Sequence, residues 1–414
     1  MFSMDFESQG GADGVSQLMQ RVLPVINDNV HDHVVMPRRA HTADTDWHDW
    51  HWQERNAVTS LESLRVALGL DEDSIAATVG KRPDRFFYIK VTPHYLDHLR
   101  RIKEEHGAER IKPLLRMLLP LTAEDANSYE QIDGMGEDGT GQHQLISSLY
   151  ADRGLLFITN RCPVHCRYCF RRRKINDVEH TVSWEEVYGA VERIRRNPNI
   201  RDVIISGGDP LTASDNRLDG LLEELYGIDH VGLVRIDTKC ATVLPQRFNQ
   251  GLLSVLRRRK PLYMTLHFTH PDEISPETKN VCNALADSGI VLGAYIPLLK
   301  GVNDNRETLK DLFFSLAKLR VRPYYLVQNV TNKWNRHFQV PIKRGLELID
   351  GLQGEISGVA LPSYMVYLPN AGGKVPLQPN YLIRCTEEGY VFRNFENREI
   401  LYRDPIENKT EPPA

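Results

Sequence analysis

The sequence predicts an α/β fold: an open partial barrel of six βα units, with a helical domain before it and a C-terminal segment after it. From Leu155 onward, short apolar runs alternate with longer amphipathic stretches, the pattern of repeated βα units around a parallel sheet. The strands expected are Leu155–Thr159, Asp202–Ser206, Gly232–Asp237, Leu262–Phe268, Val291–Leu298 and Arg322–Gln328. A closed barrel needs eight, so six leave it open. Ahead of them the periodicity is that of helices.

The 414 residues exceed one small domain and suit a large catalytic domain with attached segments. Residues 1–45 are polar and carry His31, His33 and His41 without a cysteine or carboxylate at ligand spacing; they are expected as an arm. Residues 46–135 form the expected helical domain. It opens with the aromatic run Trp47-His48-Asp49-Trp50-His51-Trp52 and continues with helical patterns over Leu61–Leu68 and from Pro93 to about Leu119. The Gly/Asp/Glu-rich stretch from Asp133 to Gln142 reads as a loop. The barrel is expected over 136–330. Within it Ser183 and Glu186 have the spacing of a capping box, and Ser275-Pro276 reads as an N-cap with proline in the first turn. Residues 331–414 make a C-terminal segment with a Gly-Gly-Lys turn and a Pro-rich tail.

A formal net charge of −4 is too mild to argue for nucleic acid or an anionic membrane as partner. No apolar run approaches the roughly 18 residues of a membrane span, and no signal peptide is visible at the N-terminus. A cytoplasmic protein acting on a small molecule is expected.

Of six cysteines, Cys162, Cys166 and Cys169 crowd together, while Cys240, Cys282 and Cys385 are spread as packing residues would be. The run Cys162-Pro163-Val164-His165-Cys166-Arg167-Tyr168-Cys169 follows the first strand, where a parallel barrel opens onto its catalytic face. Three thiolates can hold three irons of a [4Fe–4S] cube and leave the fourth open to an external ligand. Structural zinc wants four ligands, and His165 between two cysteines is awkwardly placed to be one. A ferredoxin would need a fourth cysteine nearby.

This C-x3-C-x2-C spacing, with Tyr168 before the last cysteine, resembles the radical S-adenosylmethionine (SAM) superfamily. In that family the open iron binds SAM and an external electron donor reduces the cluster. Ser206-Gly207-Gly208-Asp209, ending the second strand, resembles the superfamily's SAM-binding turn, with Asp209 available to the SAM ammonium. Pro369-Asn370-Ala371-Gly372-Gly373-Lys374 is a tight turn with one lysine, by itself better read as a surface loop with a solvated lysine than as a Schiff-base site for pyridoxal 5′-phosphate (PLP).

Taken together, the aromatic run, Cys162, Ser206–Asp209, His267-Phe268-Thr269-His270-Pro271, Arg320–Tyr325, Gly373-Lys374 and Arg393-Asn394-Phe395-Glu396 resemble the lysine 2,3-aminomutase family. The resemblance implies three cofactors: a [4Fe–4S] cluster, SAM and PLP. It implies Lys374 as the PLP lysine, with Gly372, Gly373, Tyr150 and Arg153 beside that cofactor, and Tyr168 and His267 near SAM. Arg171 matches the arginine that holds the substrate carboxylate, a planar anion suited to guanidinium. The implied reaction is that of an isomerase moving the α-amino group of an amino acid to its β-carbon. A homo-oligomer is expected by the same resemblance.

Val330 and Tyr367 stand where lysine-specific members place two acids around the terminal ammonium. An unpaired buried ammonium costs several kcal/mol. A neutral side chain is therefore expected on the substrate, lying near Asn329, Val330 and Tyr367. The alternatives are a lysine or arginine 2,3-aminomutase, a PLP-dependent radical dehydrogenation, or a non-enzymatic iron–sulfur sensor. Asn305 replaces the barrel cysteine that some relatives give to a structural zinc, so no zinc is expected.

Overall fold

The computed structural model describes residues 44–70, 88–125, 131–137, 145–175 and 181–403. The expected arm lies outside them but for Asp44 and Thr45, which open a short helix, Asp44–Trp47. The Pro-rich tail beyond residue 403 also lies outside.

All six expected strands are present, and the sheet extends beyond them at both edges. In order its strands are β1 (Ile146–Tyr150), β2 (Arg153–Phe157), β3 (Asp202–Ser206), β4 (Leu233–Thr238), β5 (Leu262–His267), β6 (Val291–Leu298), β7 (Arg322–Gln328), β8 (Ser363–Tyr367) and β9 (Lys374–Pro376). Neighbours from β2 to β8 pair in parallel, while β1 and β9 are antiparallel edges. The first barrel strand begins two residues before the expected Leu155, because Tyr150 pairs with Arg153 across a tight turn and the chain enters the ladder at once. The segment expected to follow the barrel supplies β8 and β9 to the same sheet. Beyond them β10 (Leu382–Thr386), β11 (Gly389–Arg393) and β12 (Glu399–Tyr402) form a separate antiparallel sheet, which sequence reading did not foresee.

Helices cover the outer face of the barrel: α5 (Trp184–Arg196), α6 (Asp215–Tyr226), α7 (Gln250–Arg257), α8 (Pro276–Asp287), α9 (Arg306–Lys318) and α10 (Ile342–Leu352), preceded by α1 (Trp50–Arg55), α2 (Leu61–Leu68), α3 (Pro93–His106) and α4 (Ala108–Arg116) of the helical region. Both expected caps form. Ser183 and Glu186 bond reciprocally, and Ser275 accepts from the Thr278 N–H ahead of Pro276. Helix α5 buries Val187, Ala190, Val191 and Ile194, one stripe at helical spacing. Full burial of each large aliphatic side chain contributes about 1.5–3 kcal/mol. Asn305 is the N-cap of α9, its side chain accepting from Thr308 N–H.

Strand alternation sorts the chemistry. On β4, Val234 and Ile236 are buried among apolar neighbours while Arg235 and Asp237 turn to the barrel interior; on β5, Leu262, Met264 and Leu266 alternate with Thr265 and His267. Cys240 and Cys282 are buried as expected, but Cys385 is exposed, since β10 has no covered face among the described residues.

The helical region is tied to the barrel by Glu124. Its carboxylate accepts from Arg167 Nε at 2.9 Å and Arg172 Nη1 at 2.7 Å, and pairs with Arg167 Nη2 as well. All three side chains are at most 5% exposed. Removing the carboxylate leaves two guanidiniums in the interior. Glu124→Ala is expected to lose about 3–5 kcal/mol of stability, measured by chemical denaturation; a loss under 1 kcal/mol would refute the assignment.

Candidate active site

Inside the barrel lies a cavity with about 1360 Å³ of empty space, counting its open mouth. Of the residues expected to form the site, Cys162, Cys166, Tyr168, Cys169, Arg171, Ser206, Gly207, Gly208, Asp209, His267, Asn329, Val330, Tyr367 and Lys374 all line it. Tyr150, Arg153, Gly372 and Gly373 stand behind the lining.

The cysteine loop follows β2 and is held from three sides. Its backbone meets the helical region through His165 N–H on Lys90 O (3.0 Å) and Arg167 N–H on Met117 O (2.7 Å). Asn335 donates to the carbonyl of Tyr168 (2.9 Å) and Asn332 to those of Cys169 (3.3 Å) and Phe170 (3.1 Å). These asparagines, in the loop after β7, were not singled out from the sequence. His165 directs Nδ1 to the Tyr88 carbonyl at 2.8 Å and, unlike the three cysteines, is not part of the cavity lining. Burial raises all three thiols, Cys169 to about 12, and repulsion among the cysteines adds to this for Cys162 and Cys169. Cationic iron would reverse that balance, so the donor set fits a cluster. Among the described residues no three His, Cys, Asp or Glu side chains converge on one ion, and three thiolates each meeting a different iron need not.

Gly207 and Gly208 stitch the loop after β3 to the loop after β2. Gly208 N–H donates to Thr159 O (2.6 Å) and Asp209 N–H to Arg161 O (2.7 Å). A Cβ on either glycine would collide with those carbonyl oxygens, and Gly207 has φ +132°. The glycines therefore serve the approach of two chain segments, besides any approach of a ligand. Asp209 was expected to meet the SAM ammonium. Its carboxylate accepts from Thr238 Oγ1 (2.8 and 3.0 Å), Lys239 N–H (2.8 Å) and Leu211 N–H (3.1 Å), which gives it a structural task at the rim.

An aromatic stack crosses the cavity. Tyr168 and His267 lie nearly parallel with ring centres 5.6 Å apart, and the Tyr168 hydroxyl is hydrogen-bonded to His267 Nε2 at 2.9 Å. Tyr295 also stacks with His267, ring centres 5.6 Å apart. Burial lowers His267 to about 3, so the imidazole is neutral at working pH. Lys239 reaches Glu273 at 2.6 Å, and Glu273 falls to about 2 through Lys239 and Thr269, which outweigh its burial.

Arg171 lies between the Phe157 and Phe170 rings, at 4.9 and 4.7 Å. Lys374, at the start of β9, has Nζ 4.8 Å from the Tyr325 ring centre and 5.4 Å from that of Tyr367. Its backbone N–H donates to Tyr150 Oη at 2.6 Å, which places Tyr150 behind the lysine. Arg153 covers the Tyr150 ring at 4.6 Å and pairs with Asp152 at 3.0 Å. Burial and the nearby Arg235 guanidinium bring the Lys374 amine down to about 8, with Asp237 acting against them. An amine about half neutral near pH 8 fits imine formation with an aldehyde.

Arg235, Asp237 and Thr265 also line the cavity and were missed. Arg235 is paired to Asp202 at 2.9 and 2.7 Å. Burial raises the Asp237 carboxyl, while Thr265, Arg235, Arg171 and Lys374 hold it back. The signal was present: charges at alternate positions of a strand in an interior otherwise read as apolar.

Residues 156–313 match the model of the radical SAM superfamily, and residues 349–412 match that of lysine-2,3-aminomutase. The L-lysine 2,3-aminomutase of Fusobacterium nucleatum is 35% identical over 372 residues, 90% of this chain and 85% of that protein. That of Acetoanaerobium sticklandii is 36% identical over 367 residues, 88% of this chain and 87% of that one. The glutamate 2,3-aminomutase of Clostridioides difficile is 34% identical over 363 residues, 87% of this chain and 84% of that one.

Two outcomes are expected. Gly208→Ala displaces the cysteine loop, so iron content after anaerobic reconstitution falls severalfold; unchanged iron would refute the stitch. The rate of PLP capture by the apoprotein rises with pH through about 8, as the Lys374 amine loses its proton, in stopped-flow absorbance; a midpoint at the ordinary 10.5 would exclude the lowered value.

Proposed function

This chain belongs to the lysine 2,3-aminomutase family of radical SAM enzymes, and we propose that it moves the α-amino group of a neutral amino acid to the β-carbon, giving a β-amino acid. One observation carries the reading: Cys162, Cys166, Cys169, Arg171 and Lys374 open onto a single cavity. Held by Cys162, Cys166 and Cys169, a cluster with SAM would supply radical chemistry for removing a hydrogen atom, and PLP held by Lys374 would supply a carrier for the amine.

The chain's own residues do the rest. The three thiolates hold the iron cluster, with the Ser206–Asp209 rim, Tyr168 and His267 beside it for SAM. The neutral His267, stacked with Tyr168 and Tyr295, presents a hydrogen-bonding edge without adding charge. Lys374 supplies the amine that anchors PLP, and Tyr150 fixes its backbone. Arg171 holds the substrate carboxylate, clamped between two aromatic faces that keep the guanidinium from swinging. Buried Val330 and the Tyr367 ring offer an apolar wall to the side chain, with Asn329 adjacent.

Asp237 favours a second reading, a cationic substrate such as lysine or arginine, because it is a carboxylate on the cavity wall. Against it, Asp237 already faces Arg235, Arg171 and Lys374. Anaerobic incubation of the reconstituted enzyme with SAM, reductant and the common amino acids separates the readings by mass spectrometry. The expected product is an isomer, of unchanged mass, of an amino acid with a neutral side chain, and it is absent with Lys374→Ala. Turnover of L-lysine or L-arginine far above any neutral amino acid would assign the second reading. A product two hydrogens lighter would assign dehydrogenation instead.

A further inference from the structure

Glu137 lies in the segment 131–137, which sequence reading leaves as part of a loop, yet its side chain is only 1% exposed. Its Oε1 accepts from Arg171 Nε at 3.1 Å and Nη2 at 2.9 Å, with Oε2 3.4 Å from Nε. That is the side-on edge of the guanidinium. Nη1 points to Ser206 Oγ at 3.4 Å, a cavity-lining residue, whereas Glu137 is not itself part of the lining. A guanidinium has five N–H donors in a rigid plane. With Nε and one Nη2 hydrogen held by Glu137, a planar pair on Nη1 and Nη2 is left for an anion arriving end-on.

The same segment touches the other walls of the site. Lys333 N–H donates to Gln131 O at 2.8 Å, beside the loop that bears Val330. Gly134 packs so closely on that loop that a Cβ would strike Thr331 O and stand 3.0 Å from Val330 Cγ1. A Cβ on Gly136 would stand 3.1 Å from Ala371 N, in the turn that leads to Lys374. The segment is thus a strap across the carboxylate, side-chain and amine ends of the cavity.

We propose that Glu137 is the positioning residue of Arg171, holding its side-on edge from behind so that the substrate carboxylate is bound end-on through Nη1 and Nη2. This rests on the reading of Arg171 as the carboxylate site. It deepens that reading by selecting a free carboxylate over a carboxamide, which offers one acceptor and a clashing NH2. It also gives the opposite sign from simple charge balance. Arg173 Nη2 and Lys174 Nζ lie 3.9 and 3.8 Å from the same carboxylate, so losing its charge makes this corner more cationic. Charge alone would then tighten the binding of an anion, whereas loss of orientation weakens it.

The test uses the reconstituted, PLP-loaded enzyme, titrated through the change in PLP absorbance with each common L-amino acid and with the α-carboxamides of those that respond. Wild type is expected to favour the acid over its carboxamide. In Glu137→Gln the half-saturating concentration of the acid rises about tenfold, that of the carboxamide is unchanged, and kcat stays within about twofold. Glu137→Asp, which keeps the charge at shorter reach, shows a smaller rise. Iron content and thermal midpoint are followed in parallel. Tighter binding of the acid by Glu137→Gln, or equal losses for acid and carboxamide, overturns the proposal. If Arg171→Gln loses the preference for the acid while both Glu137 variants keep it, the carboxylate site stands and Glu137 is not its positioner. If wild type itself shows no preference, the reading of Arg171 and the proposal fall together.

Discussion

Two guanidiniums of the cysteine loop, Arg167 and Arg172, are buried against one carboxylate from the helical region, Glu124. Desolvating three charged groups is unfavourable unless their geometry is held. Here it is held from both sides: the loop backbone is bonded to Met117 and Lys90, and the asparagines after β7 take its remaining carbonyls. The thiols therefore sit where three pieces of chain meet: a shift of the helical region would part the Glu124 carboxylate from its guanidiniums, and a shift of the loop after β7 would part its asparagines from the carbonyls of Tyr168, Cys169 and Phe170. The position of the three cysteines relative to Arg171 and Lys374 follows from that constraint.

A common arrangement runs through the cavity. Three of its cations each have a carboxylate at their back: Arg235 has Asp202, Lys239 has Glu273 and Arg171 has Glu137. Such backing fixes the direction of the cation and keeps its charge. Lys374 is different. Its Nζ stands 4.8 and 5.4 Å from the ring centres of Tyr325 and Tyr367, and its amine sits well below the usual lysine range. The backed groups suit electrostatic recognition, and the unbacked one suits covalent attachment.

How much of this was legible depended on periodicity. Strands β3, β6 and β7 were read to the residue because apolar runs bounded by turn residues leave little freedom of assignment. Strand β1, Ile-Ser-Ser-Leu-Tyr, and the exposed β10 carry too little apolar alternation to be recognised, and the three-residue β9 is too short. In the site, the cysteine spacing and the glycine turn were visible because their chemistry is local. Glu137 was not, since an acidic residue in a Gly-rich stretch looks solvated until the fold brings Arg171 to it. Arg235 and Asp237 were hidden for a related reason: only a barrel with a polar interior makes inward charges sensible. Asp209 lines the cavity, but its carboxylate is engaged by the protein itself.

The sheet is open, yet its two edges are not strangers. Tyr150 ends β1, Lys374 begins β9, and the 2.6 Å hydrogen bond between them spans 224 positions of sequence. No intermediate strand can make that contact; it exists only when the first and last strands have come together around the whole barrel. The amine that would anchor the cofactor is thus set in place by a contact that joins the two edges of the sheet, so attachment of PLP reports that the barrel is complete. A chain stalled before the two edges meet lacks the contact that positions the lysine, one cut before β9 lacks the lysine itself, and in either case the cavity stays without its amine carrier until its wall is finished.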